Sequence, residues 1–228
     1  MKSFLIRFLL IFILLVIIMV TYHSYLKKQE QIVSTGEPIP EYDNLKSALL
    51  VIDLQESSTG RMTETEVYSP ESNQYIEKIN RIIQHSANQN ITVIYICAVT
   101  DNWLLNLLNA RMKKGTIGTR LDSRLIKNSD YLLEKSKWDS FSNPDLDAIL
   151  KREQISRLYI VGLDVNYCIK NTILAALNRG YEVYAIDDAL RSGNQALREQ
   201  ALQEFKKRGA KVITSSEYLR IIPIMPGF

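Results

Sequence analysis

The sequence predicts an α/β protein, a three-layer α/β/α sandwich with a mostly parallel sheet of about six strands, preceded by an N-terminal transmembrane helix. Short apolar runs of strand length alternate with longer stretches of helical period, which is the pattern of strand-helix units. The runs lack polar alternation, so each is buried on both faces, as in a parallel sheet covered on two sides. Separately, Phe8 to Val20 is apolar without a break.

That run, extended to Phe4 and Tyr22, approaches the ~20 residues a helix needs to cross a bilayer, with Arg7 close enough to its end to snorkel. It has no polar face, unlike a core helix. The following "TYHSYLKKQEQ" has no small-x-small cleavage site, which favours an uncleaved anchor over a signal peptide. Lys2, Arg7 and the amino terminus compete with Lys27 and Lys28 for the cytoplasmic side; the reading adopted is a single-pass anchor, residues 1–28, with the domain outside the cytoplasm. Residues 29–46 are polar, carry Gly36, Pro38 and Pro40, and read as a linker. The remaining residues, 47–228, form one domain.

Within the domain, "SALLVIDL" (47–54) is the first strand. Pro70 to Gln89 is a helix with Tyr75, Ile76, Ile79, Ile82 and Ile83 on one side, and "ITVIYICAV" (91–99) is the second strand. Asn143 to Lys151 is a helix capped by Asn143 with Pro144 at its first position. Leu158 to Gly162 is a strand, Cys168 to Arg179 a helix ended by Gly180, Glu182 to Ile186 a strand, Ser192 to Arg208 a helix ended by Gly209, and "KVITS" a last strand.

Composition narrows the function. With 46% apolar and 23% charged residues in 228, the chain can bury a core and is not disordered. The net charge of +3 falls to +1 without Lys2 and Arg7, which gives no electrostatic reason to expect nucleic acid. Two cysteines make no disulfide framework; Cys97 reads as a buried strand residue and a Cys97–Cys168 bridge is not expected.

In such a sheet, ligands collect beyond the carboxyl ends of the strands. Asp53 ends the first strand and Cys168 follows a later one at the start of a helix. There, free N–H groups and the positive dipole end are expected to lower a thiol's pKa and to hold the oxyanion formed when a carbonyl is attacked. Taken alone, Asp53 reads first as a residue capping the turn after its strand, and Lys135 as a solvated lysine beside Lys137.

Four segments, "ALLVIDLQESSTG" (48–60), "GTIGTRLDSRL" (115–125), "DYLLEKSKWDSF" (130–141) and "VGLDVNYCIKNTILAALNRGYEVYAIDDA" (161–189), together resemble the signature segments of the isochorismatase-like cysteine hydrolases. The resemblance covers about residues 46–215 and implies that Asp53, Lys135 and Cys168 are the catalytic residues, with Gln55 and Phe141 at motif positions around them. It implies an oxyanion loop with a non-proline cis peptide within Leu163 to Val165, making Asp164 and Val165 loop residues of the site. The implied chemistry is cleavage of a small amide, carbamoyl or ureido C–N bond through a thioester. No cofactor is implied. The metal-binding segment of nicotinamidases corresponds to "TDNWLLNLLNARM" (100–112), which has Asp101 but no histidine, so no metal is expected. Ser58 replaces an aromatic that often lines the family's pocket. Trp103, Arg111 and Trp138 are further pocket candidates, and Arg111 or Arg120 is suited to a substrate carboxylate. Members of the superfamily often form homo-oligomers. The rival reading is a catalytically silent domain that binds a ligand or partner at the membrane; a redox-sensing thiol would need a resolving cysteine, and Cys97 lies inside a strand.

Overall fold

The computed structural model describes residues 2–43, 45–63, 72–100, 102 and 110–220. Six strands, β1 (Lys46–Ile52), β2 (Thr92–Ala98), β3 (Leu132–Lys135), β4 (Ile155–Gly162), β5 (Glu182–Leu190) and β6 (Lys211–Ile213), form one sheet in the order β3-β2-β1-β4-β5-β6. Every neighbouring pair is parallel. Among the described residues the α-helices are α1 (Lys2–Glu30), α2 (Ser72–Asn88), α3 (Pro144–Arg152), α4 (Lys170–Asn178), α5 (Gln195–Arg208) and α6 (Ser215–Tyr218).

Side-chain alternation along the central strands fills both faces. From β1, Ala48, Leu50 and Ile52 join Leu146 and Leu150 of α3, Ile173 of α4 and Phe205 of α5 in one core. Leu49 and Val51 point the other way, to Ile76, Ile79 and Ile83 of α2 and Tyr218 of α6. The predicted sandwich is therefore present, and the predicted cap is as well: the Asn143 side chain accepts from the Asp145 N–H, with Pro144 opening α3. Gly209, with φ 101°, closes α5.

Two elements differ from expectation, and a third cannot be compared. β3 was not singled out by the sequence; it is a four-residue edge strand whose last residue is Lys135. The expected helix from Cys168 begins earlier, with Asp164 as cap and one wide turn over Val165–Ile169 leading into α4. The expected start of α2 at Pro70 lies outside the described residues.

The segment read as a polar linker is laid along the domain. The Trp138 N–H donates to the Glu30 carbonyl (3.0 Å), the Ile39 N–H to the Arg179 carbonyl (2.8 Å), and the Ser34 N–H to the Asp139 carboxylate (2.9 Å). Val33 and Ile39 pack against the α3–α5 core. Helix α1 contains a stretch, Ile6–Glu30, long and apolar enough to cross a membrane, and none of its most apolar window is buried against the protein.

Candidate active site

The strand order reverses between β1 and β4: successive strands run outward from β1 on one side and from β4 on the other. A crevice opens at such a switch point, beyond the carboxyl ends of the strands. Asp53 stands directly after β1, and the chain after β4 crosses it through a cis Leu163–Asp164 peptide. Gly162 makes the close approach possible: its φ is +123°, and a Cβ there would lie 2.0 Å from the Ile52 carbonyl oxygen.

Asp53 turns out of β1 with φ 57°, a conformation that aspartate tolerates better than most residues. Two bonds hold the turn: its N–H donates to the Ile96 carbonyl (2.8 Å), and the Ser58 hydroxyl donates to the Asp53 carbonyl (2.6 Å). Ser58, expected merely to replace an aromatic, thus fixes the aspartate's backbone. Lys135 enters from the end of β3, and Cys168 from the wide turn before α4.

The three side chains meet. Lys135 Nζ donates to Asp53 Oδ2 at 2.9 Å and lies 3.1 Å from Cys168 Sγ, with the Lys137 carbonyl at 3.3 Å. The lysine side chain has no exposed surface and that of the aspartate is 7% exposed. Asp53 Oδ1 is buried without a hydrogen-bond partner among the described residues, which leaves a carboxylate oxygen free to take a proton. Burial alone would push the Lys135 ammonium toward neutrality, but the Asp53 charge, with the hydrogen bonds to Asp53 and Cys168, outweighs it and holds the group protonated.

The thiol departs from expectation. Burial and the neighbouring Asp53 charge push Cys168 up to about 12, against the opposing pull of Lys135. The resting pair is a neutral thiol beside a carboxylate, so the position at a helix start does not by itself make a thiolate. Cys97 and Cys168 are both free.

A cavity of about 470 Å³ opens onto the triad. Arg111 and Trp138 line it as expected; Trp138 stacks edge-on against Tyr167, ring centroids 4.8 Å apart, and the Arg111 guanidinium donates to the Met62 carbonyl (3.1 Å). Gln55 also borders it, but both ends of its amide are spent on the backbone of Ala98. Phe141 does not line it. Its ring is buried in the α3–α5 core beneath the Arg179 guanidinium at 4.3 Å. Val165 is fully buried, with its N–H committed to the Arg191 carbonyl (3.0 Å), so that amide is not available to an oxyanion. Asp164 lines the cavity as the turn's cap, its carboxylate accepting from the Asn166 and Gly193 N–H groups. Arg120 is exposed and is not among the cavity-lining residues. Trp103 and Asp101 lie outside the described residues. Glu30 and Tyr167 line the cavity without having been expected to. Tyr167 was legible only as the residue before Cys168, and nothing in the order of the sequence brings Glu30 there.

A buried acid, a buried cation and a cysteine thus converge at the switch point of a parallel sheet in an α/β fold. The isochorismatase domain family model matches residues 47–217, and the chain belongs to that family of hydrolases. A probable inactive nicotinamidase of Arabidopsis thaliana is 25% identical over 186 residues, 75% of this chain and 94% of its own. The ureidoacrylate amidohydrolase of Acinetobacter baylyi is 25% identical over 171 residues, 63% of this chain and 70% of its own. The solved N-carbamoylsarcosine amidase of Thermoplasma acidophilum superposes with a TM-score of 0.62 at 25% identity, over 75% of this chain and 97% of that one.

Proposed function

We propose that Asp53, Lys135 and Cys168 hydrolyse the C–N bond of a small amide, carbamoyl or ureido compound through a thioester. The observation carrying this reading is the lysine bridge, 2.9 Å from the Asp53 carboxylate and 3.1 Å from the Cys168 sulfur. As sulfur attacks the carbonyl carbon, the thiol proton passes to Asp53, whose free Oδ1 is the acceptor. Lys135 keeps its charge throughout and stabilises the thiolate as it forms. We assign the oxyanion to the Cys168 N–H, beside the attacking sulfur; the amides of Val165, Asn166, Tyr167 and Ile169 already have acceptors. Asp53 returns its proton to the departing nitrogen, the amine leaves, and water attacks the thioester with Asp53 as base, releasing acid and thiol. Relatives named for ureidoacrylate and N-carbamoylsarcosine support the carbamoyl and ureido classes.

In the same reading α1 anchors the enzyme in a membrane, with the domain on the extracytoplasmic side. Hydrolysis would be measured on a panel of small amides, carbamoyl and ureido compounds with Cys168→Ala alongside, and acyl-enzyme sought by mass spectrometry after rapid quench. Turnover lost in the variant, with an adduct on Cys168, is the expected result. Equal inertness of both proteins across the panel would favour the second reading, a silent ligand- or partner-binding module, which the relative named as inactive supports.

A further inference from the structure

Helix α1 does more than end near the domain. At ~1.5 Å per residue its 29 residues run ~43 Å, against a hydrocarbon core of ~30 Å, so its last turns stand clear of the apolar stretch that closes at Tyr22. Leu26, Gln29 and Glu30 wall a second cavity of about 380 Å³ that shares Ser136 and Lys137 with the first, and Glu30 lines both.

We propose that Glu30 is a specificity-determining residue of the hydrolase site, its carboxylate accepting from an N–H or cationic arm of the substrate, so that anchor and domain build one binding site. The proposal rests on the hydrolase reading above and narrows its substrate class. Glu30 is held by bonds to the catalytic loops themselves. Its carbonyl accepts from the Trp138 N–H (3.0 Å), in the loop that follows Lys135, and the next carbonyl, of Gln31, accepts from Asn171 Nδ2 (2.9 Å), on the helix that follows Cys168.

Burial raises the Glu30 carboxyl against the weaker pull of Lys27 and His23 on its own helix, and neither of these is within hydrogen-bond or ion-pair distance of the carboxylate. Of the other carboxylates bordering the cavity, Asp164 accepts from the Asn166 and Gly193 N–H groups, and Asp53 is bonded to Lys135 through Oδ2, with its open Oδ1 turned over to the thiol proton in the proposed reaction. Arg111 and Lys137, in the same wall, are basic. Glu30 is therefore the carboxylate there that belongs neither to the Lys135 ion pair nor to the turn before Cys168, and a partly desolvated carboxylate gains most from an arriving donor and repels an arriving anion.

The test uses the full chain in detergent micelles and reads alkylation of Cys168 by intact mass with three probes: chloroacetamide, its aminoethyl derivative and its carboxymethyl derivative. Sulfur displaces chloride in each, and the thiol proton leaves through Asp53 to solvent. Cys168→Ala corrects for labelling elsewhere. The ratio of cationic to anionic probe rates is expected to fall about fivefold or more in Glu30→Gln, and to stay unchanged in Glu37→Gln, an exposed carboxylate on the same strap. A ratio in Glu30→Gln within twofold of wild type would overturn the role of Glu30 and leave the hydrolase reading standing. Cys168 inert to all three probes in the folded protein, but labelled on unfolding, would overturn both.

Discussion

The side-chain amide of Gln55 closes a two-bond ring on the backbone of Ala98, Nε2 donating to its carbonyl at 3.0 Å and Oε1 accepting from its N–H at 2.7 Å. The ring ties the loop after β1 to the end of β2, beside the point where Asp53 must be held. Gln55→Ala leaves a buried donor and a buried acceptor unpaired, each costing ~1–3 kcal/mol. A drop of about 3 kcal/mol in urea-unfolding stability, with loss of hydrolysis beyond what unfolding explains, is the expected outcome.

Asp53 and Lys135 act on the thiol in opposite directions. Wild-type alkylation by iodoacetamide should rise with pH to well above 10, without a plateau near neutrality. Asp53→Asn removes the charge that raises the thiol and keeps the ammonium that lowers it. Its alkylation rate at pH 8 should increase about tenfold or more, one unit of pKa being tenfold in thiolate, while hydrolysis is lost. Slower alkylation in Asp53→Asn would contradict this arrangement.

Lys135→Met strips the buried Asp53 carboxylate of its counter-charge. Removing one partner of a buried pair costs ~3–5 kcal/mol, and the thiol should become still harder to ionise. Thermal melting and the iodoacetamide pH profile read the two effects separately.

Arg179 ties the strap to the domain. Its Nε and Nη2 each donate to the Asp147 carboxylate at 2.9 Å, Nη1 donates to the Ser34 hydroxyl at 2.9 Å, and the guanidinium covers Phe141. Lysine cannot reproduce the fork or the stack. Arg179→Lys is expected to cost ~2 kcal/mol and to open residues 31–43 to limited proteolysis while cleavage elsewhere stays slow.

Acid stability tests a site far from the catalytic one. Burial works to raise Glu182, but bonds from Lys211, Arg157 and Tyr184 overcome it and bring the carboxyl down to about 2. A depressed folded pKa contributes stability above the unfolded value, ~4.3, and that contribution is lost as pH falls toward 2. Unfolding free energy should decline between about pH 5 and 2, and Glu182→Gln should flatten the decline.

Strongly patterned elements were legible in the sequence. The buried strands β1, β2 and β4 are apolar on both faces, and Asn143-Pro144 announces α3 through cap chemistry that depends only on neighbouring residues. β3 was not legible as a strand because "LLEK" is short, polar at one end and lies at a sheet edge, where burial imposes little pattern. Lys135 inherits that obscurity: nothing local separates a lysine aimed into a core from one in water. Residues 29–46 look like a tether because their bonds to the domain are mostly backbone bonds, which leave no trace in side-chain type. Phe141 and Val165 occupy motif positions yet belong to packing, since spacing fixes where a residue stands and not which way it faces.

The members of the triad lie 82 and 33 residues apart along the chain, and Lys135 arrives on the outermost strand of one sheet edge. Parallel pairing of distant segments is slow to form, because the chain entropy of closing each loop is spent before any contact rewards it. A molecule with β1 and β4 joined but β3 still undocked would carry acid and thiol without their cation. In the proposed reading, then, the ammonium joins the other two groups only once the β3 edge has docked.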